Sequence, residues 1–341
     1  RNDRHRRRTP NSDAEPPAEP HTAKRPHTGR GTRQGTHNRA ALALTHHRQE
    51  DITMEENSIL VRDLCKTFPG FTLDHVSFRV PKGRIVGFIG ENGAGKSTTI
   101  NLILNELAKD SGEIQLLGME HTARCAREDV GVVFDECTFH DVFTAANLEK
   151  MLSGIYRSWD SALYRQYLQR FRLPENQPVG SFSKGMKMKL SILCALAHRP
   201  KLLILDEATT GLDPVVRDEI LDLFLEFIQD EEHSIFFSSH ITSDIQKIAD
   251  FVILIHQGRI VFEEQKDDLV YHYGILKCGK ERFASLSPDD YITYRDTKLS
   301  MECLVRDKEA ARRSYPDVIV DNASLEDIML FYIKGGVPCE D

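Results

Sequence analysis

The stretch Gly90-Glu91-Asn92-Gly93-Ala94-Gly95-Lys96-Ser97-Thr98 directly follows the apolar run Ile85-Val86-Gly87-Phe88-Ile89. An apolar strand pattern that passes through a glycine-rich loop into a helix start is typical of a phosphate-binding loop. The glycines let the backbone wrap closely, so that its N–H groups and the helix N-terminus point at an anion. The pattern therefore predicts binding of a nucleoside triphosphate.

The remaining positions of the loop carry specific chemistry. Lys96 offers a mobile positive charge to the β- and γ-phosphates, Ser97 offers a hydroxyl to magnesium, and Thr98 offers one to a phosphate oxygen. A chance match in an ordinary glycine-rich turn has odds of roughly one in a hundred, before the flanking context is required. The predicted nucleotide contacts in this loop are Gly90, Asn92, Gly93, Ala94, Gly95, Lys96, Ser97 and Thr98.

A second apolar run, Lys201-Leu202-Leu203-Ile204-Leu205, ends in Asp206-Glu207. Such a run is typical of a buried parallel strand, and ligands bind at the carboxyl ends of strands in an open α/β sheet. We expect Asp206 to hold Mg²⁺ through water and Glu207 to polarise the water that attacks the γ-phosphate. Since apolar strands ending in acids are common, this pattern alone does not decide the class of enzyme.

Two further patterns are informative only through their order along the chain. Gly180-Ser181-Phe182-Ser183-Lys184-Gly185-Met186 precedes a helical stretch, and Ser183 is a natural N-cap. By itself this is an ordinary capped helix. Ser234 to His240 is another buried-strand pattern that ends in a histidine, and a lone histidine after a strand is usually structural or exposed.

Together, these segments resemble the ATP-binding cassette family, the nucleotide-binding engines of transporters, over about Ser58 to Gln265. Phe182 to Met186 matches the family's signature motif, and Ala208 to Pro214 matches its D-loop. The resemblance implies that Phe68 stacks on adenine and that His240 is the switch histidine. It also implies that Ser183, Gly185 and Asp213 contact nucleotide across a pair of cassettes.

Two departures from the family pattern stand out. After the strand Val130 to Phe134, Asp135 occupies the place where the family normally has glutamine, and its acid could still approach magnesium. The signature has Lys184 and Met186 where the family usually has glycine and glutamine. The Phe-Ser-Lys-Gly-Met form resembles a subset of bacterial exporter cassettes. The predicted catalytic residues are Glu207, His240 and Lys96, and the predicted metal ligands are Ser97, Asp206 and Asp135.

The resemblance implies an α/β fold, namely a P-loop NTPase cassette with a parallel-sheet core, an antiparallel β subdomain and a helical signature subdomain. We predict the cassette over 54–265, with the helical subdomain at about 137–196 and the phosphate-loop helix over Ser97 to Ala108. Short β-like runs, Gly274 to Cys278, Met301 to Val305 and Val318 to Val320, then precede a capped helix from Ser324 to Ile333. Residues 266–341 are therefore predicted to form a small α+β appendage.

The first 53 residues differ in composition from the rest. They contain eleven Lys or Arg residues, six Asp or Glu residues and no Phe, Tyr, Trp or Val, so they are predicted to be a disordered basic tail. Its basic residues could bind nucleic acid or anionic lipid, but an extension without a role is the more economical interpretation.

Composition also bounds the location of the protein. The chain has 341 residues, 40% of them hydrophobic, and no run approaches the roughly 20 apolar residues of a membrane span. Its seven cysteines are scattered without paired spacing, which indicates reduced thiols in a cytoplasm. They are Cys65, Cys125, Cys137, Cys194, Cys278, Cys303 and Cys339. We expect a cytoplasmic subunit held at the inner face of the cell membrane by a separate protein.

The function that the resemblance implies is ATP hydrolysis, with ATP and Mg²⁺, that drives an integral-membrane permease through pairing with a second cassette. That second cassette could be a copy of this chain or a different subunit, and no nucleic acid is expected. Two alternatives stay open: a cassette ATPase that powers a soluble machine in translation, DNA repair or iron–sulfur assembly, and a regulatory module that binds ATP without hydrolysing it. Phe139, Phe143 and Tyr156 are candidate contacts with the permease.

Overall fold

A computed structural model of the protein describes residues 56–123 and 128–336. The predicted disordered tail over 1–53 lies outside the described residues, as do Cys125 and Cys339. The centre of the fold is a six-stranded sheet in which five strands are parallel and one edge strand is antiparallel. Its strands, in spatial order, are Arg259–Gln265, Phe251–His256, Ile85–Ile89, Ser234–Ser239, Leu202–Asp206 and Val130–Val133. The predicted parallel-sheet core is therefore confirmed.

The central sheet is covered on both faces, because side chains alternate along each strand. Ile85 and Ile89 belong to one apolar core, whereas Val86 and Phe88 belong to the other. The first core includes side chains of helices from several parts of the chain. These helices are Lys184–Ala197, Pro214–Phe227, Thr242–Ile248 and Leu325–Lys334. Burial on both faces explains why these strands have continuous apolar sequences.

The second core is closed by an antiparallel sheet and by the helix Lys96–Ile103. The strands of this sheet, in spatial order, are Phe71–Pro81, Asn57–Phe68, Ser111–Leu116 and Met119–Glu120. The prediction that the phosphate-loop helix extends to Ala108 was wrong. The helix ends at Ile103 because Asn105 adopts a left-handed conformation, with φ of 57°, which a continuing helix does not allow.

The helical subdomain has its own apolar core around Tyr164, which is fully buried and donates its hydroxyl proton to the carbonyl of Ala145 at 3.0 Å. Its first two helices are Ala145–Leu152 and Ser161–Arg170, and the short 3₁₀ turn Val179–Ser181 leads to Lys184–Ala197. Thr144, Asp160 and Ser183 cap the three α-helices with side-chain oxygens. The caps explain where each helix begins.

The three aromatic residues that we expected to contact a permease pack partly into this helical core. Tyr156, for example, stacks on His198 with ring centroids 4.2 Å apart. The exposed apolar side chains of this region are Val142, Met151 and Ile155. These three aromatic residues therefore pack against the core of the helical subdomain. Their contact with a membrane partner stays a prediction.

Beyond Gln265, the chain forms a second antiparallel sheet in the order Thr293–Asp296, Met301–Val305, Gly274–Cys278, Ile319–Asn322. Short helices, Lys280–Phe283 and Lys308–Ser314, stand between the strands, with a 3₁₀ turn at Pro288–Asp290. This βαββαβ order is that of the ferredoxin-like split βαβ motif. The predicted α+β appendage is confirmed, although its strand Thr293–Asp296 was not predicted.

The appendage is joined to the cassette at both ends of its sheet region. The helix Lys266–His272 leads into it, and the last helix, Leu325–Lys334, returns to the core beside the central sheet. Ser324 and Asp327 form the predicted capping box of this last helix. Tyr332 lies against Phe262 of the cassette, with ring centroids 5.2 Å apart.

Candidate functional site

The phosphate loop leaves the central strand Ile85–Ile89 in a conformation that requires glycine. Gly93 and Gly95 have φ values of 81° and 117°, in the region that favours glycine. A Cβ atom added to Gly90 would lie only 2.4 Å from the carbonyl oxygen of Ile255. The loop therefore keeps the close backbone wrap that anion binding through N–H groups needs.

Lys96 begins the helix behind this loop, and its side chain is buried. Its ammonium group donates hydrogen bonds to the carbonyls of Gly90, at 2.8 Å, and Glu91, at 3.3 Å. The same nitrogen lies 3.4 Å from a carboxylate oxygen of Glu207. The fold therefore brings Lys96 into contact with Glu207, which follows another strand. The two residues are 111 positions apart in the sequence.

Asp206 is the last residue of the strand Leu202–Asp206 and is only 7% exposed. Burial raises the pKa of its carboxyl group, and hydrogen bonds from Ser238 and Ser97 act in the opposite direction. The Ser238 hydroxyl donates to it at 2.6 Å. A buried carboxylate beside the Ser97 hydroxyl is an oxygen donor set suited to a small hard cation such as Mg²⁺.

Glu207 turns away from the strand in a left-handed conformation, with φ of 54°. One of its carboxylate oxygens accepts a hydrogen bond from the Thr210 hydroxyl at 2.7 Å and lies 2.6 Å from Nδ1 of His240. The other oxygen is the one near Lys96. Such backbone strain is typical of residues that a site must orient, and three side chains fix this carboxylate.

His240 follows the strand Ser234–Ser239, and its side chain is 42% exposed. Since the strands of Ile89, Asp206 and Ser239 are parallel, their carboxyl ends meet at one edge of the sheet. The predicted catalytic residues Lys96, Glu207 and His240 lie at this edge. Asp135, an exposed residue after the strand Val130–Val133, is also close enough for its charge to raise the pKa of Asp206.

Phe68 lies at the tip of the hairpin between the first two strands, where it pairs with Phe71. Its ring is partly exposed and stacks on the Phe71 ring, with centroids 6.5 Å apart. Phe71 in turn lies against the phosphate loop, because a Cβ added to Gly95 would be 3.0 Å from the edge of its ring. Phe68 is therefore connected to the loop through one aromatic ring, and its contact with adenine stays a prediction.

The signature and D-loop residues meet at the start of two helices. Ser183 accepts a hydrogen bond from the Met186 amide, and Asp213 accepts one from the Val216 amide at 3.0 Å. A Cβ added to Gly185 would lie 3.2 Å from the Val216 side chain. Ser183 and Asp213 are both exposed and act as N-caps within their own chain.

Sequence reasoning did not assign roles to several residues that support the site. Thr210 orients Glu207, Ser238 orients Asp206, and Phe71 lies between Phe68 and the loop. Asp244, which is 3% exposed, forms an ion pair with Arg217 at 3.4 Å beneath the D-loop. The hydroxyl residue three positions after Glu207 is a signal that could have identified Thr210, whereas the contact of Ser238 with Asp206 depends on the pairing of two strands.

Comparison with known proteins agrees with this geometry. The model of a family described as "ABC transporter" matches residues 73–210. The lantibiotic transport ATP-binding protein SrtF of Streptococcus pyogenes is 34% identical over 210 residues, covering 61% of this chain and 90% of SrtF. The bacitracin transport ATP-binding protein BcrA of Bacillus licheniformis is 36% identical over 220 residues, covering 62% of this chain and 71% of BcrA.

The transporter ATP-binding protein NatA of Bacillus subtilis is 36% identical over 213 residues, covering 58% of this chain and 86% of NatA. Among solved structures, an ATP-binding subunit of an ABC transporter aligns with a TM-score of 0.57 and 29% identity, covering 62% of this chain and 91% of that one. In the described part of this chain, no helix is long and apolar enough to span a membrane. The predicted P-loop NTPase cassette fold is confirmed.

Proposed function

The chain belongs to the ATP-binding cassette family of transporter ATPases, and we propose that it drives a separate membrane permease, in the export direction, by ATP-dependent pairing of cassettes. The observation that carries the proposal is the contact of Glu207 with both Lys96 and His240 beside the phosphate loop. This arrangement supplies a general base, a phosphate-binding cation and a histidine at one sheet edge.

The site geometry supports in-line hydrolysis of the γ-phosphate. Lys96 is positioned at the loop that would hold the phosphates, and its charge would stabilise negative charge that develops on them. Glu207 would accept a proton from the attacking water, because its carboxylate is held in place by Thr210 and His240. When ATP binds, Lys96 can exchange its contacts with the loop carbonyls and Glu207 for phosphate oxygens.

Mg²⁺ fits the oxygen donors next to the loop. Ser97 is exposed, Asp206 is buried with a raised pKa, and a divalent cation would offset the cost of burying that carboxylate. We assign Ser97 and Asp206 as the residues that would hold the metal. Asp135 would lie near the ion without a direct bond to it. When bound, the ion neutralises phosphate charge.

Ser183 and Asp213 are exposed, and Gly185 lies close to the Val216 side chain near both of them. Exposed signature and D-loop residues support a head-to-tail pair of cassettes. In such a pair, the signature of one subunit reaches the ATP held by the phosphate loop of the other. Each ATP favours the closed pair through contacts that are absent when the pair is open, so hydrolysis can drive a partner between conformations. The second cassette is a copy of this chain or a related subunit.

The assignment to export rests on the Phe182-Ser183-Lys184-Gly185-Met186 form of the signature, and the names of SrtF and BcrA support transport without giving its direction. As the ATPase of such a transporter, the protein would work at the inner face of the cell membrane, held there by its permease.

The decisive experiment isolates the partner. Full-length tagged protein carrying Glu207→Gln is purified from native membranes in detergent with ATP and Mg²⁺, and bound proteins are identified by mass spectrometry. A polytopic membrane protein is expected, and its recovery should fall when Lys96→Ala is added, because the closed pair then no longer forms. Recovery only with ribosomes, DNA or a soluble complex would overturn the transporter assignment and favour the soluble machine.

A further inference from the structure

The hairpin formed by Asn57–Phe68 and Phe71–Pro81 contains two β-bulges in succession, one in each strand. Leu64 pairs with Val76 and Lys66 with Leu73, so that Cys65 faces both Asp74 and His75. Nearer the start of the first strand, Val61 pairs with Phe78 and Leu64 pairs with Val76. Asp63 therefore belongs to a second bulge, in the first strand. Bulges redirect side chains and are over-represented next to functional sites.

The backbone at these bulges is strained at two residues. Asp63 and His75 have φ values of 46° and 49°, in the left-handed region that residues other than glycine rarely adopt. Their side chains approach each other across the hairpin, with Nδ1 of His75 3.7 Å from a carboxylate oxygen of Asp63. The strained conformations therefore bring an imidazole and a carboxylate together.

Two more donors complete the group. Ligand atoms of Cys65, Asp74 and His75 all lie within 4.8 Å of one another, and Nε2 of His75 is 3.9 Å from a carboxylate oxygen of Asp74. The His75 amide donates a hydrogen bond to the Cys65 sulfur at 3.4 Å, and this contact holds the sulfur beside the imidazole residue. His75 and Asp63 are largely exposed, so an ion can reach them from solvent.

We propose that Cys65, Asp74 and His75 form a binding site for a thiophilic divalent cation, with Zn²⁺ the best chemical match. Asp63 faces Nδ1 of His75, the ring nitrogen opposite the one that faces Asp74, and would orient the imidazole as a hydrogen-bond acceptor. A thiolate, an imidazole and carboxylates are ligands that Zn²⁺ accepts in tetrahedral geometry, whereas Mg²⁺ and Ca²⁺ select oxygen donors. Tetrahedral Zn²⁺ places its ligand atoms about 3.5 Å apart. Rotation of the exposed side chains can provide this closer approach.

The position of the site gives the ion a mechanical consequence. It would connect both strands of the hairpin three residues from Phe68 and Phe71, which form its tip. The Asp74 amide also donates a hydrogen bond to the Gly258 carbonyl at 2.8 Å, which connects the site to the edge of the central sheet. The ion would therefore stabilise the hairpin that carries the candidate adenine platform.

Cobalt substitution tests the proposal directly. Full-length protein, reduced and stripped with chelator, is titrated with Co²⁺ without oxygen, and the near-ultraviolet thiolate-to-cobalt charge-transfer band is recorded. We expect one equivalent to produce this band and Zn²⁺ to abolish it by displacement. The histidines of residues 1–53 can bind Co²⁺ only through nitrogen, so they do not give the band.

The matched variants are Cys65→Ser and Cys137→Ser, since both residues are partly buried free cysteines. The band should disappear in Cys65→Ser and persist in Cys137→Ser. His75→Gln keeps the thiol, so it tests the site without removing the cysteine, and it should weaken Co²⁺ binding at least tenfold. Absence of the band in the wild type, its persistence in Cys65→Ser, or unchanged affinity in His75→Gln would each overturn the proposal.

A second measurement guards against loss of folding in the variants. Zn²⁺ should raise the melting temperature of the stripped wild-type protein, because a ligand that binds the folded state stabilises it. The same addition should leave the melting temperature of Cys65→Ser unchanged. Equal stabilisation of both proteins by Zn²⁺ would place the bound ion elsewhere and contradict the assignment.

Discussion

Nδ1 of His240 lies 2.6 Å from the carboxylate oxygen Oε2 of Glu207, although the two residues follow different strands of the central sheet. The His240 amide points at the same oxygen, at 3.4 Å. With Glu207 ionised, Nδ1 must carry the proton in this contact, which leaves Nε2 free to face a phosphate or a partner. The histidine therefore holds the carboxylate that we propose as the general base.

Substitution Glu207→Gln should abolish repeated turnover but leave ATP binding intact. Glutamine keeps the size of the side chain and its contacts with Thr210 and His240, but it cannot accept the proton of the attacking water. The rate of phosphate release should fall at least about 100-fold, the range attributed to general base catalysis. The control is Glu281→Gln, an exposed residue of the appendage. Undiminished phosphate release by Glu207→Gln would refute the assignment of this residue.

Substitution Lys96→Ala should weaken ATP binding itself. The side chain contributes the buried charge that the loop presents to the phosphates, so its loss should raise the Kd for ATP at least about tenfold, equivalent to about 1.4 kcal/mol. Equilibrium binding of a fluorescent ATP analogue provides the measurement. Lys150→Ala, which removes an exposed lysine from the helical subdomain, should leave the Kd unchanged. If the two variants bind equally well, Lys96 does not have this role.

Substitution Asp206→Asn should stabilise the protein in the absence of nucleotide and metal, and by more at pH 7 than at acidic pH. Burial raises the pKa of Asp206 in the folded state. The folded state therefore binds the proton more tightly than the unfolded state does. The resulting loss of stability is absent below the unfolded pKa, develops as pH rises through the raised pKa, and is complete above it.

Asparagine stays neutral at every pH and can still accept a hydrogen bond from the Ser238 hydroxyl. The variant therefore avoids the loss of stability that the buried carboxylate causes. The melting temperatures of the variant and the wild type should therefore diverge as pH rises, by a few degrees. Comparison at each pH cancels the titration of groups common to both proteins. A difference in melting temperature that does not change with pH would contradict the role given to burial of this carboxyl group.

Substitution Phe68→Ala should weaken ATP binding if the ring stacks on adenine. Loss of one aromatic stacking partner costs about 1–3 kcal/mol, so the Kd should rise about fivefold or more. Phe68→Trp keeps a π face at the same place and should restore the affinity. The two variants are compared for binding of ATP and of inorganic triphosphate, which lacks the base. An equal loss for both ligands in Phe68→Ala would show that the ring supports the loop instead.

How far the site could be predicted depended on whether its parts are consecutive in the sequence. Gly90 to Thr98 and Asp206-Glu207 each carry their chemistry within one short segment, so their roles could be predicted from local pattern. The hydrogen bond from Ser238 to Asp206 depends on the register of two strands, and no local pattern contains that register. The same holds for the approach of Phe71 to Gly95.

The strand that was not predicted and the helix end that was predicted wrongly also depend on features that the local sequence pattern does not contain. Thr293–Asp296 is short and mostly polar, and it forms a strand because Met301–Val305 pairs with it. The phosphate-loop helix continued too far in the prediction because the run expected to stop it, Lys109-Asp110-Ser111-Gly112, comes only after Ala108, whereas the left-handed Asn105 already ends it. Tertiary pairing and a single backbone conformation decided these cases.

Substitution Gly185→Glu should prevent the pairing of two cassettes while each chain still binds ATP. ATP and Mg²⁺ should convert the Glu207→Gln protein, in which Gly185 is unchanged, from monomer to dimer. Size-exclusion chromatography with light scattering measures this change, and the double variant with Gly185→Glu should stay monomeric. A charged side chain at Gly185 would repel the γ-phosphate of the ATP bound to the partner, and its Cβ atom would lie only 3.2 Å from the Val216 side chain. Gly279→Glu is the matched control, because a Cβ atom there meets nothing within 4 Å. A dimer that forms equally well in Gly185→Glu would mean that the signature does not contact nucleotide across the pair.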